Sequence, residues 1–414
     1  MASTLTTFAA LLKTRYSDKK VANLTEADRP LYAMIAKEQM SGDSMVVPLI
    51  RTNPQGASRV IANAQTAAAG TGGNIKAEKF TLTAGDYTLS VSIGDKVIQA
   101  SRDNAGAFLR NTVAETDGLF EQGADILATY LYSNGGNAIG RRSSASTNVI
   151  TLTDPYDAMN FEVGQYVEAA DNDGTSASAQ RSGSTYVTAV DRAAGTITLN
   201  SAAAITSFAD NDYLFRLGDY LGNTGNTIFY GLRAYLAAST APAALYGMTR
   251  TTDPVRLAGA YVPTADLSGK GIEERIQLLG AYMTGRYKGP GATHGFMNPE
   301  DWQDLAIALQ SRGIRPLNDS DAKFNFESLN VVLGGKTVKI YPDRFCPKGT
   351  FFALKLDTWT FYYMGKSLLN TFGEGGDGLE MLRSTSANDY EFRIVSYPVP
   401  VTRAPGHNGR VSLL

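Results

Sequence analysis

The sequence predicts an α+β chain with a projecting arm and a small all-β module set into its body. Three observations predict it. Two β-patterned segments, 46–52 and 79–93, flank about two dozen residues rich in Ala, Gly, Asn and Gln. One long amphipathic stretch, 103–132, follows almost at once. From 140 to 218 the composition then shifts to Ser, Thr, Asp and Gly with short β-branched runs.

The arm is read first. Phe80 and Leu82, then Tyr87, Leu89, Val91 and Ile93, alternate with smaller or polar residues as strands do. Turn formers bound the span 53–78: Asn53-Pro54 at one end, Gly70 to Gly73 at the other. The predicted element is one extended hairpin over 46–93. With roughly 20 residues in each half it would reach about 70 Å. A lone two-stranded ribbon is marginal in water, so such an apolar-poor arm is expected to be held by a neighbour.

The helix comes next. Phe108, Leu109, Val113, Thr116, Leu119, Phe120, Ile126, Leu127, Tyr130 and Leu131 recur at three- and four-residue spacing. Arg110, Glu115, Asp117, Glu121 and Asp125 fill much of the opposite side, and Asn134-Gly135-Gly136 supplies the stop. At ~1.5 Å per residue this helix is about 45 Å long. Ahead of the arm, 1–45 reads as a helical N-terminal arm, with Phe8, Leu11 and Leu12 on one turn. A helix start at Thr25 to Asp28 precedes Leu31, Met34, Ile35 and Met40.

Within 140–218, five runs read as strands: 148–153, 161–168, 184–190, 196–200 and 212–215. Asp191 to Gly195 forms a hairpin turn between two of them. Residues 226–325 are helix-rich, with apolar stripes at 228–238, 272–287 and 299–310. The last has a clear start: Asn298 as cap, Pro299 at the first turn, then Glu300 and Asp301 near the positive end of the dipole. Strands dominate from 326. The segments 329–333 and 336–341 flank Gly334-Gly335 as a tight hairpin.

Bulk composition excludes several classes. The 414 residues are 43% hydrophobic and 19% charged, with 38 Lys and Arg against 40 Asp and Glu. A net charge of −2 argues against tight nonspecific nucleic-acid binding. The single cysteine, Cys346, excludes an intrachain disulfide, and with only His294 and His407 an imidazole metal site is poorly supplied. The N-terminus lacks the pattern of a secretory signal, and no window reads as a membrane span. A soluble chain made in the cytoplasm is expected, with no cofactor and no metal.

Candidate chemistry is weak throughout. Gly373 to Gly378 matches G-x-G-x-x-G, but Glu374 and Asp377 would repel a phosphate, so a loop is expected. Gly365-Lys366-Ser367 lacks the upstream glycine of a phosphate loop, since position 360 is Thr. Asp171 to Gly174 fails the calcium-loop spacing and reads as a turn. His294 has no evident acid or nucleophile to work with, His407 is expected in a surface loop, and Cys346 as an apolar filler.

In the order helical arm, extended hairpin, long helix and α/β region, the chain resembles the major capsid proteins of tailed bacteriophages, with the Hong Kong 97-type fold. The segments 294–302, 349–354 and 390–394 share the likeness, and 161–168 with 185–199 is similar to β modules inserted in some relatives. The resemblance implies an N-terminal arm at 1–45 and an extended loop at 46–93 that reaches across adjacent subunits. It implies a peripheral domain of 94–139 with part of 326–410, and an inserted β domain at 140–218. An axial domain would take 219–325 plus part of 340–390. The charged residues it places for contact between subunits are Arg51, Arg59, Lys76, Glu78, Lys79, Asp86 and Arg102. Some relatives crosslink a hairpin lysine to a neighbour's asparagine. Lys76 and Lys79 lie in that region, as any solvated lysine would, so no crosslink is assigned.

The implied function is a major capsid protein that self-assembles, through hexamers and pentamers, into the icosahedral shell around a double-stranded DNA genome. Its place would be the virion, and the host cytoplasm during assembly. Implied partners are further copies of itself, a portal protein, decoration proteins and DNA touched weakly and nonspecifically, with no membrane. With about 44 residues ahead of the hairpin, a separate scaffolding protein is expected rather than a built-in one. Two competing classes make different demands. A secreted or surface adhesive protein would fit the Ser/Thr-rich β module but needs an export route. An α/β enzyme needs titratable groups gathered in one pocket, with His294 and Glu300 the nearest candidates.

Overall fold

The structure, a computed structural model, describes residues 28–42, 44–70, 73–96, 105–176, 180–220, 228–236, 244–287, 289–311, 318–321, 326–371, 382–383 and 388–414. The expected helix over 1–27 and the Gly373–Gly378 motif lie outside the described residues, as does Arg102. The described chain opens with a short helix, Pro30–Met34, whose Leu31 is wholly buried. Arg29 just before it reaches two carboxylates one turn apart on the long helix. Its Nε donates to Asp125 at 2.6 Å and a terminal nitrogen donates to Glu121. A strand, Ala36–Gln39, then joins Trp359–Tyr363 in parallel.

The arm is a ribbon of Ser44–Thr52 antiparallel to Lys76–Thr83. Val47, Leu49, Phe80 and Leu82 face the body and are buried. The ribbon is shorter than the sequence predicts. Strands of nine and eight residues span about 30 Å at ~3.3 Å per residue, and a helix, Ile61–Ala69, sits between them. The second strand also ends at Thr83 instead of running to 93. After it the chain changes sheets: Tyr87–Gly94 pairs along its whole length with Asp389–Ser396. Gly85 makes the change possible, because a Cβ there would stand 1.5 Å from the Ile228 carbonyl oxygen. The apolar positions move from even numbers, Phe80 and Leu82, to odd ones, Tyr87 to Ile93, and that slip marks the place where the partner changes.

The long helix is Ala105–Leu131, about 40 Å at ~1.5 Å per residue. It lies on the four-stranded sheet formed by Tyr87–Gly94, Asp389–Ser396, Asn370–Thr371 and Leu382–Arg383. Leu119, Ile126, Leu127, Tyr130 and Leu131 are buried, as the helical spacing predicts.

The β module is a closed barrel of six strands, not five. Around the barrel they run Tyr213–Arg216, Gly140–Ser146, Val149–Leu152, Thr196–Leu199, Thr185–Asp191 and Tyr166–Ala170. The additional strand, Gly140–Ser146, is built mostly of Ser and Arg, so it lacks the apolar alternation that marks the others. The strand expected from 161 starts at Tyr166, because Gln165 folds back to accept the Glu162 N–H. Ile150, Leu152, Val167, Val187, Ile197, Leu199 and Leu214 fill the interior.

A seven-stranded mixed sheet holds the remainder. Its order is Ala260–Tyr261, Gly409–Ser412, Thr350–Leu354, His294–Met297, Lys336–Pro342, Phe326–Leu333 and Asn318–Asp321. Gly334 and Gly335, at φ 56° and 82°, form the two-residue turn that positive φ reserves for such residues. Helices Ile272–Ala281 and Pro299–Ser311 cover one face, closing a core of Ile276, Leu279, Leu305, Leu309, Val338 and Ile340. Phe296, Tyr341, Phe352 and Leu354 point from the opposite face into the main core. The predicted helix at 228–238 is reduced, among the described residues, to Leu232–Tyr235.

Asp343, 2% exposed, ties these parts together. Its carboxylate accepts the Leu31 N–H at 3.3 Å, the Tyr132 hydroxyl at 2.8 Å and the Phe345 N–H at 3.0 Å. Burial pushes its carboxyl above the usual range, opposed by those same three donors. Asp343→Ala would strand three buried donors and is expected to cost about 2–4 kcal/mol in a denaturant titration of the isolated subunit.

Two more acids lie where the barrel meets the body. The Tyr130 hydroxyl donates to Asp219, whose carboxyl is pushed up to about 6, chiefly by burial. Asp157 is pushed up to about 7 by burial, then by Asp154, against the pull of Arg233. Carboxyls raised above their unfolded pKa favour folding most below that value, near 4, and lose the contribution as pH rises through 6 to 7. Asp157→Asn is therefore expected to flatten the fall in stability between pH 4 and pH 8. At pH 8 the gain should be on the order of 2 kcal/mol, read by urea unfolding across that range.

Candidate assembly surface

The ribbon changes character along its length. At the root it is bound to the body: the Thr81 N–H donates to the Tyr246 carbonyl at 3.1 Å, and Arg256 donates to the Arg51 carbonyl at 2.9 Å. Arg51 and Glu78 face each other across the strands as an ion pair at 3.3 Å. Beyond that pair the chain's own contacts cease to bury anything. The helix Ile61–Ala69 contains no buried residue. Ile61 at its start is 77% exposed, Val60 before it 47% and Ile75 after it 55%; on the strand ahead of Arg51, Ile50 is 64% exposed.

A nine-residue helix is too short to be stable alone in water, since most helical stability in proteins comes from packing an apolar face. Four large aliphatic side chains in one projecting element also exceed the scatter of single exposed residues on ordinary surfaces.

The charged residues expected at this surface divide. The structure brings Arg51 and Glu78 together, so each is already engaged within its own ribbon. Arg59, on the bend before the helix, and Lys79 and Asp86 are exposed and separate, and Lys76 is half-buried. Sequence reasoning missed the tip helix and its aliphatics. Five alanines in Ile61–Ala69 were the available signal, Ala being the strongest helix former. The isolated Ile and Val residues of an otherwise apolar-poor span were the other.

The remaining candidates have structural roles. His294 opens its strand, stacks on Tyr341 with ring centroids 6.0 Å apart, and shares a hydrogen bond with the Thr293 hydroxyl at 2.8 Å. Asn298 caps its helix by accepting the Glu300 N–H at 2.9 Å, and Glu300 pairs with Lys348. Cys346 is buried, its thiol pushed well up by burial. Asp171 to Gly174 is a turn in which Asn172 accepts the Gly174 N–H at 2.8 Å. His407 departs from expectation: it is half-buried in the short helix Pro405–His407, and that burial lowers its pKa.

Replacing Val60 and Ile61 with Asp is expected to leave the stability of the isolated subunit within about 0.5 kcal/mol, because neither side chain is packed. Thermal unfolding of the monomeric double variant against the parent checks this; a clear loss would mean the tip is folded against its own chain.

No protein-family model matches this sequence, and no curated protein does. Solved structures do match along almost the whole chain. A capsid chain of cyanophage A-1(L) is 11% identical, with 98% of each chain covered and a TM-score of 0.52. The SrpI encapsulin of Synechococcus elongatus PCC 7942 is 10% identical, over 98% of this chain and 94% of that one, with a TM-score of 0.47. The Gordonia phage Cozz structure is 12% identical, over 100% of this chain and 95% of that one, at 0.43. On the first of these, and on the ribbon, long helix and paired sheets described above, the chain has the α+β fold of a phage capsid protein.

Proposed function

We propose that this protein is the repeating subunit of a closed shell and, more narrowly, the major capsid protein of a tailed bacteriophage whose icosahedral shell encloses double-stranded DNA. One observation carries the reading: an arm whose tip helix buries nothing on its own chain while presenting Ile50, Val60, Ile61 and Ile75. The capsid fold supplies the setting.

In this reading the tip lies on the adjacent subunit, covering its aliphatics, while Arg59, Lys79 and Asp86 meet charges at the rim. Arg51 and Glu78 act earlier, holding the ribbon straight as it leaves the body. A single such contact buries several hundred Å² a side, the size of a weak transient interface. Closed symmetry repeats it many times, so the shell is stable although each contact is modest. A net charge of −2 limits repulsion between copies. Pentamers, hexamers, a separate scaffolding protein and a portal belong to the same reading, as does assembly in the host cytoplasm. No described helix is long and apolar enough to cross a membrane.

The test is sedimentation followed by negative-stain electron microscopy of the protein, alone and with its candidate scaffold. Closed shells, five- or six-membered rings or tubes are expected from the parent. The Val60→Asp, Ile61→Asp double variant should stay folded and remain unassembled. A monodisperse monomer under every condition would sink the shell reading. Particles from infected cells that contain no nuclease-protected DNA would sink the narrower one.

A further inference from the structure

A cavity of about 190 Å³ opens where the barrel, the end of the long helix and the loop after Asp343 meet. At ~30 Å³ per water in the liquid, that is room for about six waters, or for one polyatomic ion with part of its shell. Three arginines from three separate segments line it: Arg141 from the barrel, Arg233 from the helix Leu232–Tyr235, and Arg344. Two of them are set by stacking. The Arg141 guanidinium lies 5.1 Å from the Tyr213 ring centroid and that of Arg344 5.5 Å from Phe345. Stacking occupies a guanidinium face and leaves its N–H edge for an acceptor; on Arg141 the Nε already donates to the Asn211 carbonyl at 3.1 Å, which leaves the terminal nitrogens.

A fourth cation stands behind. Arg410 is desolvated and its pKa is lowered to about 10, first by burial and then by Arg233. Among the described residues no carboxylate lies within ion-pair distance of Arg233, Arg344 or Arg410, although Asp157 and Asp173 are also on the wall. Asp173 already accepts from the Asn134 amide at 2.7 Å. On the wall itself three guanidiniums face two carboxylates, Asp157 and Asp173, and Arg233 also acts on Asp157 and Arg344 on Asp343 and Asp125; the balance on the wall is positive, and an anion would relieve it.

We propose that this cavity is an oxyanion site, taking one phosphate- or sulfate-type group on the N–H edges of Arg141, Arg233 and Arg344. Because those arginines come from the barrel, a short helix and the loop after Asp343, a bound ion would fasten the barrel to the body. The proposal concerns the single subunit and does not rest on the shell reading.

The probe is sulfate, followed by equilibrium dialysis of radiolabelled ion and by thermal unfolding against sodium chloride at matched ionic strength. Saturable binding of one ion per chain is expected, with a rise in Tm that levels off. Sulfate also stabilises proteins generally by exclusion from their surface, but that effect climbs without saturating. The Arg233→Gln, Arg344→Gln double variant should lose binding at least tenfold. Should it fail to fold, Asp157→Asn serves instead: removing a carboxylate from the wall should tighten sulfate binding several-fold. Displacement by inorganic phosphate alone assigns the site to a free ion; displacement also by a short DNA duplex assigns it to a nucleic-acid phosphate. A non-saturating response, or equal binding by the parent and every variant, overturns the proposal.

Discussion

A carboxylate removed from water must be surrounded by donors, and Asp343 finds two of them in distant parts of the chain and the third in its own loop. Leu31 lies in the first described helix, Tyr132 directly follows the long helix, and Phe345 lies in the loop leaving the seven-stranded sheet. None of these can shift far without leaving a buried charge or a buried donor unpaired. Asn408 does similar work on the other side of the core. Its side-chain oxygen accepts the Lys355 N–H and the Trp359 indole N–H, while its amide donates to the Ala404 carbonyl. Two polar side chains thus set the relative placement of sheets whose apolar faces alone would tolerate sliding.

Set against that rigid body, the ribbon is built in two regimes. Its root is fixed by backbone hydrogen bonds and by four inward apolar side chains. Its tip has secondary structure without a core. The same strand, Ser44–Thr52, carries Val47 and Leu49 on the face that packs and Val46 and Ile50 on the face that does not. Alternation in this strand therefore separates the surface used within the subunit from the surface left for something else.

Much of this was legible in the residues. The helical stripe of Ala105–Leu131, the Asn298 cap and the glycine turn at Gly334 and Gly335 were all set by local chemistry, which periodicity and capping rules read well. What stayed hidden depended on distant partners. The slip in alternation between Leu82 and Tyr87 signals a break but not which sheet each half joins, and the Ile228 carbonyl that stands against Gly85 comes from a distant part of the chain. The strand Gly140–Ser146 is held by its neighbours in a closed barrel rather than by its own apolar residues. At the assembly surface the reading went to charges, since charges are conspicuous in sequence. The exposed Ile and Val residues are conspicuous only once the fold shows that nothing covers them.

The pairing of Tyr87–Gly94 with Asp389–Ser396 also has a consequence for timing. Tyr87 is partnered by Ser396, about three hundred positions later in the chain, a separation of the kind that slows folding. At roughly 5–20 residues per second, a ribosome needs some tens of seconds to make the second strand after the first. Through that interval the sheet at the foot of the arm lacks its central strand. The long helix likewise meets a complete sheet only once residues 389–396 have been made.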